Sequence, residues 1–99
     1  MKLFDYECVT TFWQDFSLAE MYGTSAINDT FNRAFKEWKS NHIYLTELVM
    51  VLNHKMWGYY EYGNIEMSRL YQELYEKSND YAWENLKDEE LQYFIRTTD

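Results

Sequence analysis

The chain has no proline, only three glycines and a single cysteine among its 99 residues. Without proline, helix interiors are left unbroken, and with so few glycines the repeated tight turns of a β sandwich lack their usual residues. The lone Cys8 excludes a disulfide within the chain, so a reducing, cytoplasmic setting is expected. No apolar run approaches the roughly 18 residues of a membrane span. The opening residues MKLFDYECV bring in an acid at Asp5 before any long apolar stretch, unlike a secretory signal. Basic residues are scarce, nine against 17 acids, for a formal charge of −8. Such a surface repels phosphate, so neither free nucleic acid nor a membrane is expected as a direct partner.

The usual signatures of catalysis are missing as well. Di-iron bundles need Glu-x-x-His pairs, and neither His42 nor His54 follows a glutamate by three residues. All-α nucleoside-triphosphate pyrophosphohydrolases gather magnesium with Glu-x-x-Glu on one helix and Glu-x-x-Asp on a later one. Glu73-Leu-Tyr-Glu76 supplies the first half, but Glu84 is followed three residues later by Lys87. Cys8 lies between Asp5, Glu7 and apolar neighbours, and acids beside a thiol raise its pKa and leave it a poor nucleophile. There is no Gly-x-Ser-x-Gly, no glycine-rich phosphate loop and no Cys-x-x-Cys. No catalytic residue, metal ligand or cofactor is expected. A metal- or nucleotide-dependent hydrolase is the weakest of the readings.

What the chain does have is aromatic side chains, at 20% of its residues. They supply enough apolar area for a core in a domain of this size without disulfide or metal. Their spacing is helical. Thr11 and Gln14 stand in capping-box register and predict a first helix from about residue 12 to Tyr22, stopped by Gly23, with residues 1–9 as an extended arm. Thr24 or Ser25 caps a second helix whose stripe is Ile27, Phe31, Ala34, Phe35 and Trp38. Ser40-Asn41-His42 is the connector to a third helix, about 43–62. That helix is apolar almost all round: Leu45, Leu48, Val49, Leu52, Met56, Tyr59 and Tyr60 make one broad face, and Ile43, Met50 and Trp57 a second. A helix of that kind is buried. Gly63-Asn64 forms a tight turn, and Met67, Leu70, Tyr71, Leu74, Ser78, Tyr81 and Ala82 mark the fourth helix. Asp88 caps a short fifth. The expected fold is all-α: one domain over residues 1–99, a compact bundle of four to five helices around a buried central helix.

Two surface features are candidates for function. The stretch MWGYYEYGN, residues 56–64, holds one tryptophan and three tyrosines, the composition of an aromatic cage. An aromatic cage needs rings that converge, whereas helical spacing spreads these around a cylinder, so a helix end is expected. Trp57, Tyr62, Tyr75 and Trp83 exceed what a domain this small is expected to cover. They are the candidate docking site for a protein partner or a second copy of the chain, because Tyr and Trp concentrate at interface centres. The second feature is an acidic strip on the fourth helix, Glu66, Glu73, Glu76, Asp80 and Glu84. A rigid row of carboxylates can imitate a phosphate backbone and occupy the basic cleft of a DNA-binding protein. Arg69 and Lys77 interrupt it, and a solvated helix face has the same pattern.

The runs DTFNRAFKEWKSN (29–41), YLTELVMVLNHK (44–55) and ENLKDEELQYFIRTTD (84–99) resemble small uncharacterised proteins encoded on conjugative transposons and related mobile elements of Gram-positive and gut bacteria. The resemblance spans about residue 10 to the C-terminus. It implies a bacterial cytoplasm and a mobile-element context, and brings no catalytic or binding residue with it. Because mobile elements encode small acidic proteins that disarm host nucleases, it also favours a host-interaction role. The expected function is therefore a non-enzymatic interaction protein, accessory to a mobile element. The alternative is a DNA-mimic inhibitor of a host nuclease or DNA-binding protein.

Overall fold

The computed structural model describes residues 6–99, and their side chains from Thr11 onward. Five helices follow one another: α1 Tyr6–Glu20, α2 Thr24–Trp38, α3 His42–Glu61, α4 Ile65–Asn85 and α5 Asp88–Thr98. Among the described residues there is no strand. The fold is an all-α bundle built around α3, which packs on each of the other four helices and shares its largest interface with α4.

The connections explain why the helices stop where they do. Gly23 has φ of 109° and Gly63 has φ of 79°, a region that costs an L-residue with a Cβ about 1 kcal/mol or more. Asn41 caps α3 by accepting from the backbone N–H groups of Ile43 and Tyr44 at 3.1 and 3.2 Å. Asn64 caps α4 by accepting from Met67 at 3.2 Å. These side chains satisfy donors that the first helical turn leaves open.

Three expected helix starts are corrected. Thr11 and Gln14 lie inside α1, which begins at Tyr6 and so takes in the later part of the expected arm. Nothing between Tyr6 and Thr11 breaks a helix, so the capping-box spacing there is incidental. Residues 1–5 lie outside the described residues. At α2 the N-cap is Gly23, with neither Thr24 nor Ser25 bonding as a cap. At α5 the N-cap is Lys87 in extended conformation, and Asp88 is the first helical residue with φ of 55°.

The core has two parts that meet on α3. Phe12 and Phe16 of α1, Ile27 and Phe31 of α2, Leu48, Val51 and Leu52 of α3, and Tyr71 and Leu74 of α4 form the larger. Leu45 and Val49 of α3, Ala82 and Leu86 at the end of α4, and Phe94 of α5 form the smaller. Phe35 and Tyr75 pack against both. Each fully buried side chain of this size contributes on the order of 2 kcal/mol. The second stripe expected on α3 does not join the core: Ile43 and Met50 are half-buried and Trp57 is exposed. Tyr60, expected on the core face, is exposed too. Helical spacing turns Trp57 nearly opposite the Leu48–Leu52–Tyr59 side of α3, and Tyr60 well away from it.

Candidate functional site

The four aromatic residues expected to form one docking patch are dispersed. Trp57 is 54% exposed and packs edge-on against Tyr60, ring centroids 5.6 Å apart. Tyr62 is 89% exposed and faces another side of α3, toward α1. Tyr75 is half-buried between the two core clusters. Trp83 is exposed at the far end of α4, edge-on to Phe94 at 6.2 Å. Eighteen helical residues separate the start of α4 from Trp83, a rise of about 27 Å. Trp57 and Tyr62 therefore sit at one end of the bundle and Trp83 at the other.

The five acids expected to form a strip all lie on α4. Glu66, Glu73, Glu76, Asp80 and Glu84 are all exposed, and the seven-residue steps between Glu66, Glu73 and Asp80 keep them nearly in line. Gln72 donates to Glu76 at 3.1 Å. Lys77, which interrupts the line in sequence, leans to α2, its Nζ 5.8 Å from the centre of the Phe31 ring. Lys39 does the same over the Phe35 and Tyr81 rings, 5.7 Å from each. Both amines thus lie over rings at the α2–α4 side of the bundle.

The most organised polar site involves residues that the spacing of motifs did not single out. Lys55, on α3, is only 6% exposed. Its ammonium lies 3.1 Å from Glu20 Oε2, donates to Ser17 Oγ at 2.7 Å and sits 4.1 Å from the Trp13 ring centre. Glu20 also accepts from Tyr59 at 2.6 Å and from Tyr71 at 2.5 Å. Trp13, Ser17 and Glu20 fall at i, i+4 and i+7 on α1, and Lys55 and Tyr59 at i and i+4 on α3, so helical geometry alone brings each set to one face. The cluster ties α1, α3 and α4 together. Burial pushes the Tyr59 phenol up to about 12, with its hydrogen bond to Glu20 and the carboxylate charge acting the same way. Tyr71 is pushed up further by the same causes in the same order. Both phenols are thereby held as neutral donors around one carboxylate.

Beside this cluster opens a cleft of about 220 Å³, lined by Trp13, His54, Lys55, Gly58, Tyr59 and Tyr62. Its lining is almost wholly apolar, because Lys55 shows the cleft its alkyl stem while its three N–H bonds have Glu20, Ser17 and the Trp13 ring as partners. The expectation for residues 56–64 is therefore refined. Trp57 and Tyr60 do not converge with the rest, but Tyr59 and Tyr62 converge with Trp13, a ring supplied by another helix. The cation within that aromatic group is the chain's own Lys55.

A fully buried acid, Glu47, lies on α3 in the half of the bundle packed by α5. The Tyr93 phenol is raised first by burial and then by the charge of Glu47, against a lowering hydrogen bond with Thr97. His42, the first residue of α3, reaches Glu90 of α5 at 3.5 Å and packs edge-on to Tyr93. Among the described residues no three His, Cys, Asp or Glu side chains are grouped to hold a metal ion, and none of the helices is long and apolar enough to cross a membrane. Cys8 lies outside the residues whose side chains are described.

No family model, curated protein or solved structure matches the chain.

Proposed function

We propose that this chain is a non-enzymatic interaction protein that docks on a protein partner, or on a second copy of itself, through the end of the bundle around the α3–α4 turn. The observation that carries this is the Trp57–Tyr60 pair, packed edge to face and exposed, with Ile65 at the start of α4 also 46% exposed. Such rigid aromatic area costs little conformational entropy to bury and supplies the centre of an interface. The mobile-element context and bacterial cytoplasm implied by the resemblance belong to the same proposal. Affinity capture with the tagged chain from bacterial lysate tests it, with sedimentation of the purified chain as the second arm. Trp57→Ala should abolish the captured partner or the dimer, and washing at high salt should not. Retention of the same partner by Trp57→Ala sinks this docking face.

A second reading has its own support. Lys77 is exposed but leans toward Phe31, and the exposed line of Glu66, Glu73, Asp80 and Glu84 favours a phosphate-like row that engages a basic DNA-handling protein. Binding of that kind weakens steeply with salt and is lost when Glu73, Asp80 and Glu84 are changed to Gln, Asn and Gln. Salt-resistant capture that survives the triple change speaks against mimicry.

A further inference from the structure

The cleft between Trp13 and Tyr62 has a floor that the fold itself does not explain. Gly58 is in the interior of α3, where glycine is less stable than alanine by about 1 kcal/mol. Glycine at a helix crossing is explained when a neighbour presses on the backbone. Here a Cβ built on Gly58 meets nothing within 4 Å. The missing methyl group leaves open space, and that space is the cleft. Trp13 and Tyr59 supply half-exposed rings to its walls, and Tyr62, 89% exposed, stands at its mouth. The dimensions suit a small molecule: a cavity of about 150 Å³ accepts benzene, and this one measures about 220 Å³.

Charge narrows the ligand class. An organic cation, the usual guest of an aromatic group, would meet the Lys55 ammonium already placed 4.1 Å from the Trp13 ring. An anion would find the Lys55 donors turned to Glu20 and Ser17, inside a chain of net charge −8. What remains is an uncharged, flat molecule whose faces stack on rings and whose edge lies over α3 at Gly58, where a side chain is missing.

We propose that the Trp13–Gly58–Tyr62 cleft binds an uncharged planar aromatic molecule of one or two rings, seated on α3 where Gly58 lacks a side chain. The site lies on a different side of α3 from the Trp57–Tyr60 pair, so partner capture by Trp57→Ala bears on docking alone and leaves this site to its own test.

Indole is the probe, followed by amide and indole N–H shifts in two-dimensional NMR of the full chain. Saturable shifts should centre on Gly58, Trp13 and Tyr62 and spare Trp83. Gly58→Ala should raise the melting temperature, because it improves helix propensity without a clash, and weaken indole binding by about tenfold or more, the effect of one methyl group too many in an apolar pocket. Tyr62→Ala, at a residue too exposed to matter for folding, should weaken binding as well. Indole that shifts none of these signals at millimolar concentration overturns the proposal, and so does Gly58→Ala binding indole as well as the wild type.

Discussion

At the scale of single residues, the buried Lys55–Glu20 pair has the largest consequences. Removing one partner from a buried pair leaves the other charge without compensation, at a cost of about 3 kcal/mol. Lys55→Met should lower the unfolding free energy by about that amount in urea. Combining it with Glu20→Gln should restore more than half, because the amide oxygen still accepts from a phenol and no charge is stranded. Equal loss in the single and double variants would mean that the pair contributes through packing only. The two phenols bonded to Glu20 carry a pH signature. Tyr59 moves from its ordinary 10.0 to about 12 on folding, so the folded state holds that proton more tightly. Its stabilising effect is complete below pH 10.0 and is lost as pH rises through about 12. Tyr71 is raised further and shifts the balance in the same direction. Urea midpoints should therefore fall with rising pH only in this alkaline window, and Tyr71→Phe should flatten the slope. The sequence holds a signal for half of this site, although motif spacing did not single it out. Lys55 continues the series Leu48, Leu52 and Tyr59 along a buried stripe, and a charge in such a stripe signals a buried partner. Which of 17 acids answers it depends on how α1 lies across α3, and spacing within a helix carries no information about that.

Among the secondary-structure elements, turns and caps decided what could be read. Asn64 and Gly63 fall where a helix start and a left-handed turn are required, and both elements of that turn are found. Gly63→Ala should cost about 1 kcal/mol through its positive φ, visible as a lower melting temperature with an unchanged helical circular dichroism spectrum. Asp88 is the opposite case. With φ of 55° it stores strain that glycine would not, so Asp88→Gly should be neutral or should stabilise by a few tenths of a kcal/mol, where a capping Asp would lose a few tenths on change to Gly and about 1 kcal/mol on change to Ala. A clear loss would return Asp88 to the capping role that its position in sequence suggests. The helix starts at α2 and α5 were misplaced for one reason. A hydroxyl or carboxylate near a helix start becomes a cap only if its own backbone stays extended, and that is decided by the preceding connection. Lys87 takes that conformation before α5, and before α2 the chain turns at Gly23 with a positive φ instead.

For the whole molecule, class and centre were legible and the disposition of faces was not. The apolar breadth of residues 43–62 identified the central helix, whereas Trp57 and Tyr60 are exposed because helical spacing turns them away from the Leu52–Tyr59 side that the neighbouring helices cover. The acidic excess is a property of the molecule as a whole. Like charges on a compact body repel, and the distance over which they do so falls from about 30 Å at 0.01 M salt to about 8 Å at 0.15 M. The melting temperature should therefore rise with sodium chloride over that range, and a fall would show that surface ion pairs outweigh the repulsion.

The interfaces of this bundle are unequal, and that sets how it comes apart. α3 and α4 are joined by a short turn and share the broadest contact, while α1 is held to them by Phe12, Phe16, Ala19 and the bonds of Glu20. Native proteins open in pieces, the least-secured piece first. In hydrogen exchange, the amides of α1 should therefore exchange together and ahead of those around Leu48 and Leu52. Lys55→Met should quicken that opening and keep α1 ahead of the α3–α4 hairpin in the order of exchange. Glu20 thus acts as a latch: the carboxylate that unites three helices also sets how often the first of them lets go.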